Sequence, residues 1–455
     1  MEDEKRIVSG PLSRREFLKA AGVAGAGVGF GWVLAGCADS TATTTRIAGS
    51  GTTPATATTA TSARGGGAGR VIKIGFVTPL TGPIAGFGEA DTFCIEEWKA
   101  AAPSVDIGGK THPITLVVKD SQSDPNRAAQ VAGDLISKDK IDLMLVASTP
   151  DTVNPVAVQC EANGVPCISN DTPWQPFFFG RGGDPAVGFD WTYHFCWGLE
   201  DVIANYTAMW TKLGATKVGA MWPNDADGNA WADEVNGFPP ALTEGGFELV
   251  DPGRFRQLKE DFSAQISRFK EAGCDIATGV MVPPDFATFW KQSAQQGFKP
   301  KVASVGKGLL FPSSMEALGD IGYGLTTEVW WTPSHPFTSS LTGEPCGDLA
   351  AKYESSGRQW TQPLLHYAVY EVAVDALSRT ADIDDKASIV AAIKETKIDT
   401  IAGPVDWSTG PVPNVSKTPL VGGQWIKGER FPYELEIVNN STAPEIELTG
   451  EVQPL

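Results

Sequence analysis

A chain of 455 residues, 42% of them hydrophobic, is long enough to build more than one hydrophobic core. Its 54 Asp and Glu against 36 Lys and Arg give a net charge of −18, which argues against nucleic acid as a partner, because phosphate binding needs a basic surface. Past the N-terminal segment no run of about 20 apolar residues suggests a membrane span. Four scattered histidines and the cysteine spacings resemble no zinc site, and nothing implies a cofactor.

The first feature in chain order is PLSRREFLKAAGVAGAGVGFGWVLAGC, residues 11–37. Its Ala/Gly/Val run is interrupted by Gly throughout and would make a weak spanning helix. As an address it is specific. Arg14 and Arg15, set between Ser13 and Lys19, resemble the twin-arginine export signal, and Leu34-Ala35-Gly36-Cys37 resembles a bacterial lipobox. That resemblance implies removal of residues 1–36 and lipidation of Cys37. The Thr/Ser/Ala/Gly tract over 37–70 holds almost no large apolar side chain and reads as a disordered tether. Together these features predict an exported protein held by lipid at the outer face of the cytoplasmic membrane.

From Val71 short apolar runs alternate with amphipathic ones. VIKIGFVTPL reads as a buried strand, and Ala90, Phe93, Cys94, Trp98 and Ala101 then fall at helical spacing. After the strand ITLVVKD, Asp124 is placed to cap a helix with Pro125 at its first position and Ala128, Val131, Ala132, Leu135 and Ile136 facing inward. IDLMLVAS and VPCISN complete a doubly wound α/β lobe with a parallel sheet. A second series follows: strands in KVGAMWPN, FELVD, DIATGVMV and KVASVG, separated by helices, one of them with Phe262, Ile266 and Phe269 on one face. The closing pieces, including DTIAGPVDW and GGQWIKG, are too small for a third lobe and must complete the first two.

With Cys37 assigned to lipid, six cysteines remain. Export permits disulfides, and Cys160 with Cys167 is the closest pair, at a helix end and the following strand. A protein exported folded must also tolerate reduced thiols, so both states of this pair stay open.

The segments IGFVTPLTGPIAGFGEA, KDSQSDPNRAAQVAGDLI, NGVPCIS, DFSAQISRFKEAGCDIA and DTIAGPVDW resemble the type I periplasmic binding proteins of branched-chain amino-acid-type ABC transporters. The resemblance spans Val71 to about Trp425. It implies two Rossmann-like lobes joined by three crossovers, closing on a small-molecule ligand that is handed to the permease subunits of an ABC importer. Lobe one is expected over 71–197 with 333–403, and lobe two over 198–332 with 404–455. The cleft is expected at the strand C-termini.

Position by position, the resemblance puts Phe87 where the family carries an aromatic beside the ligand. Ser148 and Thr149 fall in a hydroxyl-bearing turn that binds a ligand carboxylate, and Asn170, Asp171, Thr172 and Trp174 in a second such turn. Helix capping needs the same residue types at the same places. Two departures stand out: Asp227 precedes Gly228 where amino-acid binders have Tyr-Gly, and Lys307 falls where they have an acid for the ligand's ammonium. An unpaired cation there favours an acidic or strongly polar ligand over a free α-amino acid, unless Lys307 is a solvated rim residue. Fourteen tryptophans is a high count, and Trp222 and Trp330 are the preferred flat walls for a ring-bearing or quaternary-amine ligand.

A binding module is therefore expected, taking a small polar, aromatic or carboxylate ligand. The alternatives are a ligand-sensing receptor domain of the same fold and a binder of branched-chain amino acids proper. No recognisable Ser/His/Asp arrangement, Gly-rich phosphate loop or Cys/His cluster suggests an enzyme.

Overall fold

The computed structural model describes residues 67–455; Arg14, Arg15 and Cys37 lie outside the described residues. Two parallel-core sheets organise this part. The first contains β1 (Gly67–Ala68), β2 (Ile72–Thr78), β3 (Ser104–Ile107), β4 (Lys110–Asp120), β5 (Leu143–Ala147), β6 (Cys167–Asn170) and β7 (Thr192–Phe195). The second contains β8 (Lys217–Met221), β9 (Glu248–Val250), β10 (Ile276–Val280), β11 (Val302–Gly306) and β12 (Thr326–Val329). The chain then adds the hairpin β13 (Lys397–Thr400) and β14 (Gly403–Asp406), the short β15 (Val415–Ser416), and β16 (Val421–Lys427) with β17 (Tyr433–Asn439).

Strand order in the first sheet is β1-β4-β2-β5-β6-β7-β15, with β3 antiparallel on β4. In the second it is β17-β16-β12-β11-β10-β8-β9, the pairs β12–β16 and β16–β17 being antiparallel. In each lobe the order reverses beside the first strand, β2 or β8, and such a reversal opens a crevice at the strand C-termini.

The local chemistry explains the elements. β5, β6 and β10 are buried along their whole length, as strands covered on both faces are, and β5 (LMLVA) is a continuous apolar run. The Asp124 side chain accepts from the N–H of Arg127 at 2.7 Å, and Pro125 opens the helix Pro125–Asp134, where no N–H partner is needed. Phe262, Ile266 and Phe269 are fully buried against Phe289 and Phe298.

The third crossover differs from expectation. β14 pairs with β13, and β15 adds in parallel to β7, so residues 404–416 stay with lobe one and the chain crosses between Ser416 and Val421. The pairing of β15 with β7 in the first sheet, with β14 held to β13 in a separate two-stranded ribbon, carries the chain past the resemblance-based boundary at 403. Of the two states left open for Cys160 and Cys167, the structure has the reduced one: all six cysteines among the described residues are free, buried thiols. Burial, followed by the neighbouring Cys167, pushes the Cys160 thiol well above its ordinary value, which keeps it protonated and unreactive.

Candidate ligand site

A small cavity lies at the C-terminal ends of both sheets. From lobe one it is lined by Phe87 after β2, Thr149 after β5, Asp171 and Pro173 after β6, and Trp197 after β7. Lobe two supplies Asp227 and Trp231 after β8, Val280 at the end of β10, Lys307 and Leu310 after β11, and Glu328 and Trp330 at the end of β12. Every lining residue therefore sits where open α/β sheets place ligands.

Aromatic rings form much of the wall. Phe87 meets Trp330 edge to face, centroids 5.8 Å apart, and Trp330 lies 6.2 Å from Trp197. Trp231 is fixed from behind by stacking on Phe238 at 4.9 Å. Gly306 permits this arrangement: a Cβ there would come within 2.8 Å of the Trp231 ring and 2.9 Å of the Glu328 carboxylate. The indole N–H groups of Trp197, Trp231 and Trp330 are buried and have no partner in the protein.

Two of the non-glycine residues with left-handed backbone, Asp171 (φ 67°) and Lys307 (φ 65°), face this cavity directly after a strand end. Such conformations are costly and concentrate at functional sites. The Asp171 N–H donates to Asn170 Oδ1, which holds the turn. Asp171 Oδ2 accepts from His366 Nε2, and His366 Nδ1 lies 2.6 Å from Asp91 Oδ1, so one imidazole bridges two carboxyl groups in the interior. Burial alone would lower the His366 pKa, but Asp171 and Asp91 outweigh it and push it up to about 10, so the ring is an imidazolium at neutral pH.

Across the cleft, Lys307 Nζ lies 2.5 Å from Asp227 Oδ2 and 3.3 Å from Asp225 Oδ2, and all three side chains are buried. Burial acts to lower the Lys307 pKa, and Asp225, Asp227 and Asp151 raise it by more. Burial pushes Asp227 up to about 7 despite the lysine. Lys307 is thus neither a free cation nor a solvated rim residue, because lobe two supplies its own counter-charges. The anion preference expected from an unpaired lysine loses its physical basis here.

The remaining sequence-derived candidates divide. Phe87, Thr149, Asp171, Asp227, Lys307 and Trp330 line the cavity. Ser148, Asn170 and Thr172 are buried beneath it, with Thr172 Oγ1 donating to the Ser148 carbonyl at 2.9 Å. Trp174 turns to an outer groove and donates to Glu200 at 3.0 Å. Trp222 is wholly buried in the lobe-two core, 5.5 Å from Phe238 and 6.1 Å from Trp231. Trp231, Glu328 and His366 were not anticipated. Glu328 carries a signal, since it lies near the end of β12; Trp231, the last residue of the helix Ala226–Trp231, and His366, far in sequence from both of its partners, carry none.

Two α/β lobes with a cavity between their strand ends, built from residues of both, define a protein that encloses a small molecule. The chain belongs to the family described as periplasmic binding protein, whose model matches residues 71–415. Residues 11–31 match the twin-arginine translocation pathway signal sequence, and the two matches together support export. Leu/Ile/Val-binding protein homolog 3 of Brucella melitensis is 24% identical over 357 residues, 74% of this chain and 87% of that one. A leucine binding protein of Thermotoga maritima superposes with a TM-score of 0.67 at 23% identity, covering 82% of this chain and 99% of that one. A solute binding protein of R. palustris in complex with 4-hydroxybenzoate gives a TM-score of 0.67 at 18% identity, covering 81% and 96%. These neighbours share the type I fold of ABC-transporter binding proteins.

Proposed function

We propose that this protein is an exported, lipid-anchored solute-binding protein that captures a small polar, ring-bearing or flat ligand between its lobes and delivers it to an ABC importer. The observation that carries this is the cavity itself, with donors, carboxylates and aromatic faces converging on it from both sheets. The relatives are named for leucine, isoleucine and valine, and one neighbour holds 4-hydroxybenzoate; all are small molecules, which supports a ligand of that size here. Closing the lobes removes the ligand from water, and the closed arrangement is what a permease can recognise.

A thermal-shift screen of small metabolites on the purified protein tests this. A ligand at a hundred times its dissociation constant adds about 2.7 kcal/mol of apparent stability. Stabilisation that disappears in Trp330→Ala supports the cavity as the site, whereas undiminished stabilisation in that variant moves the site elsewhere.

A further inference from the structure

Acidic side chains outnumber basic ones around the cavity. On lobe one the imidazolium of His366 lies between Asp91 and Asp171, one cation between two carboxyl groups. On lobe two Lys307 serves both Asp225 and Asp227, and Asp151 reaches across from lobe one to accept from the Ala226 N–H at 3.4 Å. Glu328 adds another carboxyl in the wall, its Oε2 accepting from the Tyr206 hydroxyl. Carboxyl groups outnumber cations on both sides.

One of those carboxyl oxygens is unused. Asp171 is 3% exposed and lines the cavity; its Oδ2 is taken by His366, and its Oδ1 has no partner in the protein. A buried acceptor left without a donor costs on the order of 1 to 3 kcal/mol, and more when charged, so a ligand that supplies the donor recovers that energy. The neighbouring ring faces of Phe87, Trp197 and Trp330 attract positive charge.

Resting on the assignment of this cavity as the ligand site, we propose that the ligand is a small organic cation with N–H donors, an amine or amidine, whose charged nitrogen binds Asp171 Oδ1. The unpartnered indole N–H groups of Trp197, Trp231 and Trp330 then serve a neutral oxygen on the same ligand, a hydroxyl or carbonyl, since a carboxylate would be set against a wall already rich in carboxyl groups. Burial holds the Asp171 pKa above its ordinary value, and the His366 imidazolium behind it offsets part of that rise.

Isothermal titration of the full-length protein with probes that share a ring and differ in charge tests this: benzylamine, tyramine, benzamidine, benzyltrimethylammonium, benzyl alcohol, 4-hydroxybenzoate and phenylalanine, with leucine alongside. The expected order places the N–H cations first, tyramine above benzylamine, and the quaternary ammonium below both. Asp171→Asn should weaken tyramine binding roughly ten- to a hundredfold, with Asp171→Glu intermediate. Tighter binding of 4-hydroxybenzoate or leucine than of any amine overturns the cation and leaves the solute-binding assignment standing. No binding by any probe at millimolar concentration counts against both. Should Asp171→Asn fail to fold, the order measured on the unaltered protein decides alone.

Discussion

Asp171 and His366 are 195 residues apart in the chain and meet in the interior, where the imidazole Nε2–H donates to Asp171 Oδ2. The same ring reaches Asp91, which also accepts from the Thr78 hydroxyl at the end of β2. One imidazolium thus ties the end of β2 and the turn after β6 to the segment before the helix Tyr367–Arg379.

Removing that cation strands two carboxyl groups. His366→Gln is expected to lower the unfolding free energy by about 3 to 5 kcal/mol at neutral pH, the usual cost of breaking a buried ion pair. The sign of the pH dependence follows from the raised pKa. The histidine's contribution is full below the unfolded value of about 6.5 and is lost as pH rises through about 10. Urea unfolding between these limits should show the unaltered protein losing stability as pH rises, and His366→Gln losing less. Parallel curves for the two proteins would mean that the ring is neutral in the fold.

Lys307 holds a second buried charge cluster. Lys307→Met leaves Asp225 and Asp227 close together without their cation, and a loss of about 3 to 5 kcal/mol is expected in chemical unfolding. Adding Asp227→Asn to Lys307→Met should recover part of that loss, because it removes one of the stranded charges. A Lys307→Met protein as stable as the original would place the lysine outside the network.

Much of this architecture is legible in the sequence. Buried parallel strands are short runs rich in apolar residues, and cap chemistry at Asp124-Pro125 marks a helix start, so β2, β5, β6, β10 and β11 are legible from pattern. The family resemblance then points to Phe87, Thr149, Asp171, Asp227 and Lys307, and all five line the cavity. The state of each charge is not legible. Whether Lys307 is free depends on Asp225 and Asp227 folding back upon it, and whether Asp171 is charged depends on a histidine with no sequence proximity to it. The backbone order of lobe one's edge was hidden for a related reason: β15 is only two residues long, too short to show a period.

Thr149 and Asp124 both stand at helix N-caps, yet only one caps. The Asp124 side chain accepts from Arg127 N, whereas Thr149, before the helix Pro150–Asn163, makes no side-chain cap bond. Asp124→Ala should therefore cost about 1 kcal/mol in unfolding free energy, and Thr149→Ala under about 0.5 kcal/mol. Equal losses in the two variants would show that the Thr149 hydroxyl caps its helix and is not free for a ligand.

Anchoring is tested apart from the fold. The Leu-Ala-Gly-Cys motif and the Thr/Ser/Ala/Gly-rich sequence after it predict that Cys37→Ser protein leaves the membrane fraction for the soluble one. The Arg14→Lys, Arg15→Lys double variant should accumulate as cytoplasmic precursor, in keeping with the twin-arginine match over residues 11–31. Complete retention of Cys37→Ser protein on membranes would rule out lipid at that position.

Trp222 and Trp330 look alike in sequence, each following a parallel strand, but they occupy different surroundings. Trp222 is wholly buried, packs on Trp231 and Phe238, and does not line the cavity; Trp330 lines it, with its ring against Phe87 and Trp197. Trp222→Phe deletes part of a packed ring, and the neighbours can fill only some of the space. A loss of about 1 to 3 kcal/mol in unfolding free energy is expected, with ligand affinity little changed. Neither indole N–H has a partner in the protein, so the difference lies in packing: Trp330→Phe keeps an aromatic face at the cavity wall, and unliganded stability should change less than in Trp222→Phe, which opens space inside the core. Affinity for an oxygen-bearing ligand such as tyramine should fall, and benzylamine, which lacks the oxygen, should be affected less. Unfolding curves and titrations with the two probes on both variants separate these effects. Equal loss of stability and unchanged affinity in Trp330→Phe would return this indole to the core, beside Trp222.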